Sequence, residues 1–246
     1  MAPSTEEPEH GAPPASGQDI DETKTSAQES TLDKLHPYVQ VLNLNDLESV
    51  VNLENATFPP NEACSREKFI YRLTTCGELC LGLFASATPS TPHSPLRRLS
   101  ESSFSHPADS TDPSRKEVLL AHIVATKSTS QTVTDEDMAL PPKWQSNPHA
   151  DPHLGHKEEG RTICLHSLAV LPEYQNQGLG RTLVLSYIQR MQSADIADRI
   201  ALLTYDRLVP FYERLGFEYR GKSKAQYGGG GWNDMVLDIK NRLGSV

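Results

Sequence analysis

An apolar run over residues 162–170 passes through Leu171-Pro172 into a turn holding Gly178 and Gly180, and from there directly into a helix. Leu179, Leu183, Val184, Ile188 and Met191 recur at helical spacing and make one buried stripe. A buried strand, a glycine turn and a stripe-bearing helix in succession commit this stretch to a layered fold of sheet and helix. The rest of the chain repeats the alternation. Residues 38–42 read as a strand. Asn45 reads as the cap of a helix with Leu47, Val50, Val51 and Glu54 at helical spacing, stopped before Pro59-Pro60. Ser65 is a second cap, followed by Phe69, Ile70 and Leu73 on one face. Strands are expected at 79–85, 118–126, 200–203 and 235–239, and a short helix at 209–215 closed by Gly216. The fold class expected is α/β (α+β), helices around a central sheet.

Not all of the 246 residues belong to that alternation. Residues 1–30 hold seven acids, one lysine, four prolines and no aromatic residue, too little apolar surface to offset chain entropy. A disordered acidic tail is expected over 1–33. A second dilute stretch, 86–116, holds nine serines and five prolines and reads as an insert without structure of its own. A third, 128–160, is broken by Pro141-Pro142, Asn147-Pro148 and Asp151-Pro152, yet offers Met138, Leu140 and Trp144 for packing. Setting these aside leaves about 150 residues, the size of one domain, here assigned to 34–246.

Composition narrows the chemistry. A formal charge of −9 argues against nucleic acid and favours cationic partners. No apolar run is long enough to span a membrane, and the first residues lack the basic and apolar regions of a secretory signal. The four cysteines lack paired CxxC spacing, so reduced thiols are expected and no metal site. A cytoplasmic monomer is the expectation.

The turn after residue 170 carries the most specific chemistry. Glycines two apart let successive N–H groups converge without Cβ obstruction, and the following helix adds its orphan donors and positive dipole end. Gln177, Gly178, Gly180 and Arg181 are therefore a natural cradle for a pyrophosphate. A plain turn whose glycines only permit close packing fits the same letters.

Gln175 to Gly180, a Q-x-x-G-x-G pattern directly after Leu168-Ala169-Val170, resembles the acetyl-CoA signature of the GNAT acetyltransferase superfamily. Leu208-Val209-Pro210-Phe211-Tyr212-Glu213-Arg214-Leu215-Gly216-Phe217 resembles its second hallmark. Leu165-His166-Ser167-Leu168-Ala169-Val170, with Phe58-Pro59-Pro60-Asn61-Glu62 and residues 76–84, is similar to the serotonin (arylalkylamine) N-acetyltransferase family, in a form closer to its fungal polyamine-acetylating branch. The resemblance implies a mixed, mostly antiparallel, splayed central sheet flanked by helices. It implies acetyl-CoA as co-substrate, held by Leu168, Ala169, Val170, Gln175, Asn176, Gln177, Gly178, Leu179, Gly180 and Arg181. It further implies a small primary amine as acceptor, in a pocket lined by Phe58, Pro59, Leu203, Thr204 and Tyr205.

Acetyl transfer to an amine needs a base for an ammonium of pKa about 10 and an acid for a thiolate whose conjugate acid lies near about 8.5. By the resemblance His166 is the base and Tyr212 the acid. The family carries a second histidine two residues before the first, and here that position is Cys164, a poorer relay. His122, His153 and His156 have no assignment. The oxyanion is expected to meet a backbone N–H near Leu168. Glu62 and Asp206 are candidates for a distal ammonium of a diamine. Arg97-Arg98-Leu99-Ser100 has the form of a basophilic kinase site, where phosphate on Ser100 would recruit a phospho-dependent partner. Two other readings stay open: a protein N-acetyltransferase on the same fold, and a non-catalytic acyl-CoA-binding regulatory protein.

Overall fold

The computed structural model describes residues 31–88, 96–147 and 151–240. In chain order the elements are α1 (Thr31–Leu35), β1 (Tyr38–Val41), α2 (Leu47–Thr57), α3 (Arg66–Thr75), β2 (Leu81–Ala87), α4 (Leu96–Ser100), β3 (Ser105–Pro107), β4 (Lys116–Ser128), α5 (Asp135–Met138), β5 (Thr162–Val170), α6 (Leu179–Ala194), β6 (Arg199–Thr204), α7 (Val209–Glu213), β7 (Glu218–Lys222) and β8 (Asn233–Asp238). One mixed sheet runs in the order β1-β2-β4-β5-β6-β8-β7, with β3 on the flank of β4. Its described pairs are antiparallel except β5 with β6.

The central strands are apolar because they are covered on both sides. β4 is buried almost throughout and touches α2, α3 and α6, so its sequence reads as a continuous apolar run. The α6 stripe is buried as its spacing predicts, and fully buried Tyr187 on the same face donates its hydroxyl hydrogen to the Leu79 carbonyl at 2.9 Å. Ser65 caps α3 by accepting from the Lys68 N–H.

Two features of β5 prepare the site. Its register with β4 slips between Ser167↔Val124 and Leu165↔Ala125, leaving His166 as the extra residue of a β-bulge. Its pairing with β6 covers only Thr162↔Arg199 to Leu165↔Leu202, so beyond Leu165 the two parallel strands part.

Several expectations are corrected. Asn45 does not cap α2: Asn43 caps a 3-10 turn, Leu44–Asp46, that runs into α2, its side chain accepting from the Asn45 N–H while Asp46 accepts from the Asn43 N–H, each at 2.8 Å. Asp46 stands at the start of α2 without a side-chain cap bond. α1 takes up the last positions assigned to the tail; residues 1–30 lie outside the described residues. The 86–116 insert is partly built. Leu96 and Leu99, three apart, are both buried and seat α4, while β3 pairs with β4. His106 of β3 lies 3.3 Å from buried Asp46 and 3.2 Å from Glu117. In the 128–160 stretch β4 runs on to Ser128, α5 follows, and Met138 and Trp144 are buried.

Candidate active site

Two cavities meet where β5 and β6 separate. The larger lies over the glycine turn and is lined by Leu168, Val170, Gln175, Asn176, Gly178, Gly180 and Arg181, with Pro59, Arg207 and Phe211 opposite. The second, deeper along the sheet, is lined by Glu54, Glu62, Met138, His166, Leu203, Thr204, Tyr227 and Trp232. Phe58, Leu168, Tyr205, Leu208 and Tyr212 line both. A linear molecule laid over the turn thus ends against Tyr212 and Leu168, at the entrance of the inner pocket.

The turn fits an acyl-CoA. Gly178 is the residue before α6 and has φ +91°, a conformation a side chain adopts only with strain. A Cβ on Gly180 would stand 3.4 Å from Val170 Cγ2, so the absence of side chains keeps the backbone open to the cleft. The Leu171 N–H donates to Leu120 O. Antiparallel alternation then turns the Ala169 backbone toward β4 and the Leu168 and Val170 N–H groups toward the gap left by β6. The Val170 carbonyl, facing the same gap, accepts from Gln175 Nε2 at 3.1 Å. Three residues expected here have other surroundings. Ala169 and Leu179 are fully buried in the core, and Gln177 turns its amide to the Glu173 carbonyl.

In the inner pocket the most heavily bonded group is Glu54. One oxygen accepts the Ser167 hydroxyl at 2.6 Å and lies 3.1 Å from His122 Nε2; the other accepts the Cys64 N–H at 2.9 Å. Burial alone would raise its pKa, but the bonds from His122, Ser167 and the Cys64 N–H prevail and hold it below the usual carboxylate value. His122 is fully buried, packs edge-on against Phe69, and leaves Nδ1 without a hydrogen-bond partner among the described residues. Glu54 follows the apolar spacing of α2 and yet is charged, which is the sequence signal that marks it. His122 and Ser167 are paired to it only by the fold.

His166 Nε2 lies 2.8 Å from Thr126 Oγ1 and Nδ1 2.7 Å from Met138 Sδ. Burial, reinforced by the positive charges of Arg72, Lys68 and Lys157, pushes its pKa well below the ordinary imidazole value. Cys164 is fully buried, in an apolar cluster with Val133, Met138, Ala201 and Val236, and burial raises its thiol well above the usual range. Tyr212 has its ring edge-on to Phe211 at 5.0 Å and Phe217 at 5.6 Å. Burial raises its pKa, so its hydroxyl stays protonated. No hydrogen bond of that hydroxyl is present among the described residues, and Tyr212 lines both cavities.

Glu62 lines the inner pocket and accepts the Tyr205 hydroxyl; the Tyr205 and Trp232 rings meet at a tilt of 39° with centroids 4.8 Å apart. Asp206, the other candidate for a distal ammonium, lies outside both cavities, exposed and paired with Lys222 and the Asn233 amide. Ser100 ends α4, donates its hydroxyl hydrogen to Arg97 O at 2.7 Å, and lines neither cavity.

Residues 136–217 match the acetyltransferase (GNAT) family model. Serotonin N-acetyltransferase of Mesocricetus auratus is 32% identical over 103 residues, 42% of this chain and 42% of that protein. The enzyme of the same name in Macaca mulatta is 41% identical over 66 residues, 27% of this chain and 32% of that protein. The chain thus spans no more than about two-fifths of the length of these relatives. Among solved structures, the loading GNATL domain of CurA from Lyngbya majuscula superposes with a TM-score of 0.54 at 16% identity, covering 84% of this chain and 99% of that one. The NatC complex bound to Gag peptide and CoA gives 0.51 at 18% identity, covering 82% and 98%. Splayed sheet, glycine turn and family match agree: the chain carries a GNAT acetyltransferase domain.

Proposed function

We propose that the protein is an acetyl-CoA-dependent N-acetyltransferase of small primary amines, polyamine or arylalkylamine, working by direct attack of the amine in a ternary complex. The observation that carries this reading is the shared wall: the cleft over the pyrophosphate turn and a pocket containing a buried carboxylate meet at Tyr212 and Leu168. Bound acetyl-CoA supplies the acetyl group as an activated thioester. The ammonium gives one proton to solvent before attack; Glu54, ionised and preorganised, orients the neutral amine near that wall by accepting from its N–H, and takes a proton from the nitrogen once attack has made it acidic. The Leu168 N–H faces the gap where negative charge develops on oxygen. The Tyr212 hydroxyl gives its hydrogen to the departing sulfur, and solvent restores it.

Glu62 favours an amine with a second positive charge, since no ion pair to its carboxylate is formed among the described residues while Tyr205 and Trp232 supply aromatic surface beside it. A protein substrate is disfavoured, because Met138 of α5 and Tyr227 wall the inner pocket. The fold does not separate the two, as the NatC likeness illustrates. The test is thiol release from acetyl-CoA with putrescine, spermidine, tryptamine, phenethylamine and a lysine peptide. Turnover of a free amine, reduced about tenfold or more in Tyr212→Phe, is the expected result. Tight acetyl-CoA binding with no turnover of any acceptor would sink the enzyme reading and favour an acyl-CoA-binding regulator.

A further inference from the structure

We propose that Met138 is the residue that sets how large an amine the inner pocket accepts, and that by covering Nδ1 it withholds His166 from proton transfer. This rests on the amine acetyltransferase reading.

α5 is a single turn in a long connection, yet it is fixed from three directions. Lys157 Nζ lies 2.7 Å from Asp137 Oδ1, and Asp137 is almost wholly buried. The Gly155 N–H donates to the Glu136 carbonyl at 2.9 Å. The Asp135 carboxylate accepts the backbone N–H groups of Gln226 and Tyr227, each at 2.9 Å. Thr134 and Asp137 close a capping box over the same turn. A side chain at the end of so constrained a turn has its position imposed on it. That side chain is Met138, which lines the amine pocket and sits in the apolar cluster with Cys164.

The thioether has lone pairs and no hydrogen, so the His166 nitrogen facing it carries N–H. Nε2 then bears the lone pair and accepts the Thr126 hydroxyl. Both ring nitrogens are spent within the protein, and neither is left for the amine. What Met138 presents to the substrate is instead an apolar end wall, three heavy atoms beyond Cβ. Shortening it lengthens the pocket and uncovers the imidazole together.

The experiment measures kcat/KM for n-butylamine, n-octylamine, phenethylamine and tryptamine on the wild-type chain, Met138→Ala and Met138→Leu. The tautomer of His166 is read in parallel from imidazole ¹⁵N shifts. In the wild type Nδ1 carries the hydrogen. Met138→Ala raises the ratio of the bulkier to the smallest amine by about tenfold or more, the scale of a methylene-sized change in an apolar pocket. Met138→Leu, close in volume, moves that ratio less. If Met138→Ala does not fold, Met138→Val serves, with a smaller shift in the same direction. An unchanged ratio in the shortened variant, or a wild-type His166 with its hydrogen on Nε2, overturns the proposal. Absence of turnover with every amine overturns the enzyme reading instead; the shift measurement needs no turnover and still decides whether Met138 holds His166.

Discussion

Ser167 donates its hydroxyl hydrogen to Glu54 across 2.6 Å, joining β5 to α2 over 113 positions of sequence. The bulge at His166 makes this possible, because the extra residue lets both His166 and Ser167 face the helical side that carries Glu54. With the larger effect of His122 and the bond from the Cys64 N–H, the Ser167 bond holds the buried carboxylate below its ordinary pKa. Glu54→Gln keeps the shape and removes the charge. Its kcat/KM for a primary amine is expected to fall about 100-fold or more, as for loss of a general base. The fall exceeds that of His166→Gln by at least about tenfold. Ser167→Ala leaves Glu54 its bonds from His122 and Cys64 and costs about 1–3 kcal/mol of stability, read from urea unfolding.

At the glycine turn the two glycines have separable roles. Gly178 sits at φ +91°, and the nearest atom to an added methyl is Leu32 Cδ1 at 3.7 Å, so Gly178→Ala meets backbone strain and not a clash. The cost is about 1–2 kcal/mol. Gly180 has no positive φ, and an added Cβ meets Val170 at 3.4 Å. Gly180→Ala is expected to leave unfolding within about 0.5 kcal/mol of wild type and to weaken acetyl-CoA binding through the methyl in the cleft. Calorimetric titration beside thermal melting separates these effects.

The sequence speaks most clearly where burial imposes a period. β5 and the stripe of α6 are legible because one is covered on both sides and the other on one. β7 is not, since its side chains are mostly exposed and Gly221 interrupts it; only pairing to β8 makes it a strand. α4 escapes notice because two leucines among serines and prolines carry no period until the sheet receives them. The cleft residues follow from the glycine turn, which is local chemistry. The inner pocket follows in part: Phe58, Glu62, His166, Leu203, Thr204, Tyr205 and Tyr212 stand in or beside motifs and line it. Met138 on the single turn of α5, with Tyr227 and Trp232, reaches it from long connections that carry no period, and His122 is bound to Glu54 through strand register. Glu54 itself shows in the sequence only as a carboxylate at an apolar position of α2.

The pH dependence follows from the signs of two shifts. Glu54 has a folded pKa below its ordinary 4.5, so its contribution to stability is complete above that value and disappears as pH falls through the lower folded one. Stability therefore does not change through Glu54 between pH 7 and 5, and the acid-side loss is shallower in Glu54→Gln. Burial holds His166 well below the ordinary imidazole value of 6.5, so it is neutral at pH 7. Neither group titrates near neutrality, so log kcat/KM rises with unit slope as the substrate ammonium, of pKa about 10, is deprotonated. An extra limb near pH 6.5, removed by substituting His166, would contradict this.

Glu62 offers the sharpest test of which amine the pocket suits. Its carboxylate is bonded by Tyr205, and the backbone at Gly228 is so close that a Cβ there would stand 2.8 Å from Glu62 Cγ. The chain has given up a side chain at φ +63° to let this acid in, and Asn61 Nδ2 fastens the same loop at the Gly228 carbonyl. A neutral pocket for an aromatic amine needs no such acid. A second ammonium does, and in a site shielded by Tyr205, Tyr227 and Trp232 the attraction is screened less than at an open surface. Glu62→Gln is therefore expected to lower kcat/KM for putrescine or spermidine by about tenfold or more, chiefly through KM, while phenethylamine changes by less than about threefold. Equal losses for monoamine and diamine would mean that Glu62 shapes the pocket without reading charge, and would move the substrate toward the arylalkylamines.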